Sequence, residues 1–561
     1  MALTVVRIRL AVALTLFYHT RQSACAGAAS EPFLEVTMSV NRKQAIGSRV
    51  LCALLPSVLA ATAIAAQTLE FDARSRRPLS NRPEAFEIVS SRQAWDASQT
   101  AVIICDMWDR HWCKGAMLRT GELVPAMNDF VIRARDAGAL IIHAPSDTMG
   151  YYADHPARRT AEQAPRAANL PKDIASWCSW LDEHEKEVYP IDQSDGGCDC
   201  LTKCPGGSPW RKQIDGLNIH PEDAISDSGV EIWNLMEARG IKNVMIMGVH
   251  TNMCVLGRPF GLRNMARNGK NVVLVRDLTD TMYNSRMRPF VSHFTGTDLI
   301  IEHIEKYVCP TMVSTALTGR PRFRFKEDNR PTVAFLIAER EYGSNWTIPQ
   351  FAAQLQRKHN VLCEFLIGVR DGTPEERNTL SNMDVLATAD LAVVYVRRRA
   401  LPEVQMKYLR DYLDNGKGLI GIRTASHAFD AKGNKAADCI EWPGFDPEVL
   451  GGNYNGHYGK SKDATKVTIV PAAKDHPILK GVCDFESPSW LYRVRPLAPT
   501  TRVLMMGEIK GKEPEPVLWT NTYKGGRIVY TSLGHWDDFK IDSFERLLTN
   551  AIFWAMNKEV P

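Results

Sequence analysis

The chain has 561 residues, of which 45% are hydrophobic and 24% are charged, and its formal net charge is +4. This composition is ordinary for a soluble globular protein, and the length predicts two or three domains, each large enough to bury its own core. So small a net charge gives no reason to expect nucleic acid or an anionic membrane as a partner.

The first 66 residues are predicted to be a signal or targeting segment. A basic stretch at 42–49 precedes an apolar run at 50–65, which ends in the small-residue pattern Ala-Ile-Ala. Met38 stands just upstream of the basic stretch and is the expected true start. The run is too short for a comfortable membrane span, so we expect a periplasmic or secreted protein with no stable span after processing. A retained membrane anchor is the alternative.

Strands alternate with helices through the first half of the chain, which predicts a parallel, doubly wound sheet. Residues 67–95 are polar and rich in Pro and Arg, and are expected to form a leader strap ahead of the first strand. Residues 145–215 are predicted to be a long functional insertion. The predicted strands are 100–105, 139–143, 244–248 and 271–275, and the predicted helices are 122–137, 229–239 and 299–307.

The insertion carries a cysteine-rich stretch near residues 178–204. Its members are Cys178, Cys198, Cys200 and Cys204. Export permits disulfides, so two disulfides are the first interpretation. A four-cysteine zinc site is the second, although the spacing lacks a paired C-x₂-C.

Two strand ends carry chemistry that can meet, because ligands sit at the carboxyl ends of parallel strands. Asp106 follows one strand, and Cys254 lies just past another. Asp106 could take the thiol proton, since the thiolate is the nucleophile. A helix starting at Cys254 would lower the pKa of the thiol and offer backbone N–H groups to an oxyanion. Taken singly, each residue is more ordinary: a buried core cysteine and a turn aspartate.

Together these residues resemble the isochorismatase-like cysteine hydrolases over about residues 95–310. The segment 248–255, GVHTNMCV, is similar to that family's G-V-x-T-x-x-C-V motif. The resemblance implies an Asp–Lys–Cys triad with Asp106 and Cys254, and a cis peptide bond between Val249 and His250. The residues expected to line the oxyanion hole or substrate site are Val249, His250, Met253, Trp108 and Tyr283.

The sequence departs from this family at the lysine of the triad. The stretch 218–229, where the lysine is expected, contains none. His220 is the candidate that could occupy a related place. Activity could persist with another base, or the domain could be a binding relic.

No cofactor is required by this chemistry, but a divalent metal is a candidate. Some members of the family, the nicotinamidases, hold a metal with an aspartate and two histidines near the active site. The residues that could serve here are Asp109, His111, His143 and His155. The alternative is that these are ordinary structural and surface side chains.

A second α/β series follows a basic linker at residues 316–330. The predicted strands are 333–337, 361–366, 391–396, 418–422 and 527–531, and the predicted helices are 401–413 and 544–556. The chain is therefore predicted to be an α/β protein with two doubly wound parallel-sheet domains in tandem, at residues 67–315 and 331–561.

The second half resembles the ThuA-like domains, which share the class I glutamine-amidotransferase fold, over about residues 330–557. The segments that carry the resemblance are 416–429, 452–457, 475–478 and 526–536. Arg423 stands where amidotransferases place their nucleophilic cysteine, so that chemistry is not expected. The remaining polar rim, which includes Trp536, suits a sugar. The cleft residues are expected to be Arg423, Ser426, His427, His457 and His535.

The leading hypothesis is an exported cysteine hydrolase of a small amide or related molecule, fused to a ThuA-like domain that recognises carbohydrate. One alternative is a binding protein with two degenerate clefts. Another places the activity in the ThuA-like domain, on a carbohydrate. The sequence leaves the substrate and the oligomeric state open.

Overall fold

The centre of the first sheet is built from two apolar strands whose side chains are all buried. In a computed structural model, which describes residues 67–339, 341–369, 373–459 and 463–561, Thr100–Cys105 lies parallel to Asn243–Val249. Continuous burial of such runs is what a parallel sheet covered on both faces requires. The predicted signal segment at 1–66 lies outside the described residues.

From residue 67, where the described part of the chain begins, the first half contains eight strands and seven α-helices. The strands are β1 (Thr68–Leu79), β2 (Arg82–Asp96), β3 (Thr100–Cys105), β4 (Leu140–Ala144), β5 (Ala224–Ile225), β6 (Asn243–Val249), β7 (Asn271–Asp280) and β8 (Thr311–Met312). The helices are α1 (Lys114–Asp136), α2 (Pro156–Glu162), α3 (Glu183–Glu187), α4 (Gly229–Ala238), α5 (Leu262–Arg267), α6 (His293–Tyr307) and α7 (Thr315–Thr318).

The first sheet has the order β2-β1-β8-β7-β6-β3-β4-β5. The strands from β8 to β5 are parallel, as predicted. β1 and β2 form an antiparallel hairpin at the edge, so the leader strap predicted at 67–95 consists of two strands that the sequence did not predict. Arginines at buried hairpin positions hid the strand pattern: Arg74 and Arg76 are buried because both pair with Glu305, at 2.7 and 3.1 Å.

The second half contains thirteen strands and four α-helices in its described residues. The strands are β9 (Thr332–Ala338), β10 (Leu362–Ile367), β11 (Leu391–Val396), β12 (Leu401–Pro402), β13 (Gly418–Ile422), β14 (Cys439–Ile440), β15 (His457–Tyr458), β16 (Thr465–Ile469), β17 (Phe485–Ser487), β18 (Leu491–Tyr492), β19 (Arg502–Glu508), β20 (Glu515–Tyr523) and β21 (Gly526–Thr531). The helices are α8 (Ser344–His359), α9 (Pro374–Arg377), α10 (Glu403–Asp414) and α11 (Asp542–Ala555).

The second sheet has the order β10-β9-β11-β13-β21-β20-β19-β16-β17. Its first five strands are parallel and were all predicted from apolar runs. The other four are antiparallel and were not predicted, so the sheet is mixed rather than purely parallel. The α/β class with two large sheets in tandem is confirmed.

Charged contacts join the two halves across the predicted linker, and both sheets belong to one compact unit. Arg330 pairs with Asp298 of α6 at 2.6 Å and with Asp328 at 2.8 Å. Arg322 forms an ion pair with Glu364 of β10. Among the described residues, no helix combines the length and the apolar character needed to cross a bilayer.

Gly248 is the position where β6 requires a glycine. Its φ is 121°, and a Cβ there would lie 2.1 Å from the carbonyl oxygen of Cys105 on β3. No other residue fits, because both the backbone conformation and the close approach of the neighbouring strand exclude a side chain.

We expect Gly248→Ala to destabilise the protein by about 2 kcal/mol or more, since strained backbone and a backbone clash add. Gly240→Ala is the matched control, because Gly240 also has a positive φ of 66° but has open space around it. Melting temperatures from calorimetry measure both variants. Equal melting temperatures for the two variants would show that the close approach to β3 contributes nothing.

Candidate active site

A buried carboxylate stands at the end of β3. Asp106 has a φ of 47° and is completely buried. Its Oδ1 accepts a hydrogen bond from the N–H of Ser146 at 2.8 Å, and its Oδ2 accepts one from Nε of Arg258 at 3.0 Å. A buried carboxylate needs such donors, because an unpaired one is costly.

The candidate nucleophile reaches this carboxylate from the next strand. A helical turn, Thr251–Val255, follows β6 and carries Cys254, which is 9% exposed. The Cys254 thiol lies close enough to Asp106 and Arg258 to interact electrostatically with both. The structure therefore brings together the two residues that the sequence selected.

Arg258 is the residue that sequence reasoning missed. Its backbone N–H donates to the carbonyl of Cys254 at 3.0 Å, so the two lie on the same side of a helical turn. The guanidinium stacks over Trp177 at 5.5 Å and approaches Asp147 at 3.6 Å. Its position four residues after the cysteine was the available signal, because such residues are neighbours on a helix.

Burial dominates the protonation of this cluster. It raises the pKa of the Asp106 carboxyl, and Arg258 opposes the rise. It also raises the pKa of the Cys254 thiol well above its usual range, and the charge of Asp106 adds to the effect while Arg258 opposes it. The lowered thiol pKa expected from the sequence is therefore not found, because desolvation outweighs the helical turn.

His220 does not take the place of the missing lysine. Its Nδ1 lies 3.3 Å from Oε1 of Glu222, and its side chain is 45% exposed. Its backbone N–H donates to Asp223, which also accepts from Arg135. Arg258 is the cation beside Asp106 instead.

Four of the five predicted lining residues lie at or just past the ends of β3 and β6. The Val249–His250 peptide bond is cis, as the resemblance implies, and both residues are buried. Trp108 donates from Nε1 to the carbonyl of Ser146 at 2.9 Å, and so supports the loop that holds Asp106. Met253 packs beside a cluster of cysteines.

Tyr283 is not available to a substrate. It is completely buried, its hydroxyl donates to the carbonyl of Met287 at 2.8 Å, and its ring packs against Gly296. The expectation that it lines the cleft was wrong, because its polar end is used to hold the segment after β7.

An aromatic ladder lies beside the site. Trp108 stacks on Trp210 at 4.4 Å, and His111 lies 4.9 Å from the ring of His250. Burial lowers the pKa of His111 to about 4 and that of His250 well below its usual range. Both rings are therefore neutral near pH 7. Trp210 had no distinguishing signal in the sequence.

The four candidate metal ligands do not converge. Asp109 accepts backbone N–H groups from Arg211 and Lys212, and the Nδ1 atoms of His111 and His155 each accept a backbone N–H. His143 is buried between Gln213 and Asp223, at 2.9 and 3.2 Å. In the described part of the chain, the metal-competent group consists of other residues, all of them cysteines.

The second cleft lies above β13. Arg423 follows that strand with a φ of 46° and is fully buried beneath the cleft. It donates to Ser489 at 2.6 Å and stacks on Tyr342 and Tyr492, at 4.0 and 4.7 Å. Ser426 is buried with it and donates to the Arg423 carbonyl. Both were expected at the rim, and both are instead part of the floor.

The other predicted residues do line this cleft, a cavity of about 930 Å³. His457 is exposed and stacks on Trp490 at 4.9 Å, and His535 packs against Trp536 at 4.1 Å. Burial and nearby arginines lower the pKa of His427 to about 2, so its ring is neutral at ordinary pH. The cavity therefore combines aromatic faces and neutral histidine rings with charged side chains, among them Arg397 and Arg398.

Comparison with known proteins gives one family match, over residues 367–555, to the family described as trehalose utilisation, ThuA. No curated protein shows a significant match to the chain. A ThuA-like protein from Bacteroides uniformis is 17% identical, covering 43% of this chain and 97% of its own, with a TM-score of 0.32.

Two further solved structures are a cysteine hydrolase from Pseudomonas syringae pv. phaseolicola and an isochorismatase family protein from Burkholderia thailandensis. The first is 17% identical, covers 40% of this chain and 93% of its own, and has a TM-score of 0.26. The second is 14% identical, covers 40% and 95%, and has a TM-score of 0.23.

The resting Cys254 is expected to be a thiol rather than a thiolate. Its alkylation by iodoacetamide should keep accelerating above pH 9, because burial and Asp106 both disfavour the anion. Peptide mass spectrometry measures the modified fraction, and the exposed Cys483 serves as the internal control. A titration midpoint below about 8.5 would contradict this expectation.

Proposed function

We propose that the first domain is a cysteine hydrolase of a small amide or related acyl compound. The observation that carries the proposal is the contact of Cys254 with both Asp106 and Arg258. A nucleophile, a base and a cation are the three parts that acyl transfer at a cysteine needs. The predicted signal segment supports a site of action outside the cytoplasm.

The proposed reaction begins with proton transfer from the thiol to Asp106. Burial raises the pKa of this carboxyl, so its carboxylate is a stronger base toward the thiol proton than an exposed aspartate would be. The Sγ of Cys254 then bonds to the acyl carbon, and the carbonyl π electrons move onto the oxygen. Collapse expels the amine, which takes the proton from Asp106 and leaves a thioester.

Hydrolysis of the thioester completes the cycle. Asp106 takes a proton from water, the hydroxide adds to the acyl carbon, and the thiolate leaves and is reprotonated by Asp106. Arg258 stabilises the anionic forms of both side chains throughout. This role replaces that of the family's lysine, and a guanidinium remains charged even in a buried site.

The oxyanion would form beside the turn that carries Cys254. The N–H groups of Met253 and Val255 already donate to the carbonyl of His250, at 3.0 and 3.2 Å. A substrate oxygen would therefore use other N–H groups of this turn. Preorganised donors of this kind are worth several kcal/mol in acyl transfer.

Cys254→Ser and Arg258→Met are each expected to lower the rate of turnover by about 100-fold or more. Arg258→Lys is expected to retain most of the wild-type rate. The assay follows p-nitrophenol release from p-nitrophenyl acetate, together with a panel of small amides. Mass spectrometry locates the acyl group on Cys254. Cys309→Ser, at a buried thiol elsewhere in the domain, is the control.

Full activity in Cys254→Ser with normal folding would overturn the proposal. Equal losses in Arg258→Lys and Arg258→Met would show that the charge of this residue is not what matters.

We further propose that the second cleft, which lies above β13, binds a carbohydrate. The specific observation is the set of aromatic side chains in the cavity, which offer flat apolar faces beside polar groups. Sugars present both kinds of surface. The aromatic lining residues are Tyr342, Tyr454, Trp490, Tyr492 and Trp536.

Trp536→Ala is expected to weaken trehalose or glucose binding by about tenfold, since a stacked aromatic face is worth roughly 1 kcal/mol or more. Calorimetric titration of the full chain measures it. Trp177→Ala in the first domain is the matched control. Binding by the wild type that Trp536→Ala does not weaken would place the sugar elsewhere.

A further inference from the structure

Four cysteine sulfurs converge beside the first domain's site. Their Sγ atoms all lie within 4.8 Å of one another, and those of Cys113 and Cys200 are 3.8 Å apart. A zinc ion with four thiolates at about 2.3 Å has sulfur–sulfur edges of about 3.8 Å. The members of this group, called the cysteine cluster below, are Cys113, Cys198, Cys200 and Cys204.

The membership differs from that suggested by the sequence. Cys178 lies apart, where its thiol donates to the carbonyl of Trp180 at 3.4 Å and contacts Arg267. Its place is taken by Cys113, which precedes α1 and lies 85 residues before Cys198 in the chain. All cysteines of the described residues are free thiols, so the structure contains neither of the two disulfides that were the first interpretation.

The cluster has the closed character of a structural metal site. Three of its cysteines are buried and Cys200 is partly buried. They pack against Ala116 and Met282, with Trp112 and Met253 at the edge. A closed set of four protein ligands is typical of structural zinc, whereas a catalytic zinc keeps a position open for water.

Backbone N–H groups point at the sulfurs. Gly115 donates to the Sγ of Cys200 at 3.4 Å, and the N–H of Lys114 donates to that of Cys204. The Sγ of Cys198 accepts from the N–H groups of both Cys200 and Cys204. Such donors orient sulfur ligands around a metal.

Cationic residues lie near the group in space or adjoin it in the chain. Arg286 donates to the carbonyl of Cys200 at 2.8 Å, and Arg119 lies close to Gly115. Lys114 and Lys203 are each next to a cluster cysteine in the chain. Zinc with four thiolates carries a net charge of −2, which these cations offset.

We propose that Cys113, Cys198, Cys200 and Cys204 bind one Zn²⁺ as a structural tetrathiolate site. Binding replaces four S–H bonds with four Zn–S bonds and releases four protons, with no change of oxidation state. This site is separate from the reacting groups Asp106, Cys254 and Arg258, and it does not depend on the hydrolase proposal.

The zinc would fix the insertion against the turn that carries Cys254. Asp195 accepts from Asn284 at 2.7 Å, and Asp199 accepts from Ser285 at 2.9 Å. Just before them in the same insertion, Gln193 accepts from Asn252 at 2.6 Å. Joining the loop 198–204 to the start of α1 therefore holds three segments together beside the site.

The test measures zinc in the full-length chain, grown with added zinc and purified without chelator. Elemental analysis by plasma mass spectrometry is expected to give about one zinc per chain. Cys204→Ser should lower this to below about one tenth. Cys178→Ser is the matched control, because it removes a cysteine of the same insertion outside the cluster and should leave the zinc content unchanged.

A second measurement uses the wild-type chain and avoids variants that fail to fold. Replacement of the metal with Co²⁺ should produce the sulfur-to-cobalt charge-transfer absorption of a tetrahedral thiolate site. Intact mass under non-reducing conditions should show all four cluster cysteines as thiols after acid removal of the metal.

Two disulfides in the cluster, seen as the loss of four hydrogens from the intact mass, would overturn the proposal. Zinc content that is unaffected by Cys204→Ser, or Co²⁺ that gives no charge-transfer band, would overturn it as well. Loss of zinc with full esterase activity would leave the hydrolase proposal standing, so the two proposals fail independently.

Discussion

A single buried carboxylate organises the first domain. An ionised Asp106 without partners would cost several kcal/mol, because the protein interior solvates charge poorly. Its partners come from separate segments: the N–H of Ser146 after β4, the thiol of Cys254 after β6, and the guanidinium of Arg258. The ends of three parallel strands must therefore meet at one point, which is where the sheet presents its reacting groups.

The two clefts of the chain use the strand-to-helix turn differently. In the first, the turn after β6 carries a thiol that reaches a carboxylate. In the second, the turn after β13 carries Arg423, which is buried between the rings of Tyr342 and Tyr492. The second turn therefore supports an aromatic floor, and what remains above it is a surface suited to recognition.

The long insertion of the first domain is held in place by polar contacts as much as by apolar ones. Tyr189 donates to the carbonyl of Asn252, and Glu185 is buried between Arg263 and His303. Such a segment has little regular structure of its own, so its position depends on contacts with the sheet it covers. Three of the four cluster cysteines, Cys198, Cys200 and Cys204, lie farther along the same segment.

Much of the fold was determined by the sequence alone. The runs at 100–105, 391–396 and 418–422 are strands with the predicted bounds, since short continuous apolar runs are typical of parallel strands that are covered on both faces. The placement of Asp106 and Cys254 also followed, because the ends of parallel strands share one edge.

Only the tertiary structure decided the remaining features. Arg258 as the cation, Cys113 in the cluster and the edge hairpin β1–β2 all depend on contacts between residues far apart in the chain, or on charges buried by a distant partner. Periodicity and local motifs report the environment of neighbours along the chain, and they carry no information about which distant side chain satisfies a buried charge or joins a group of thiols.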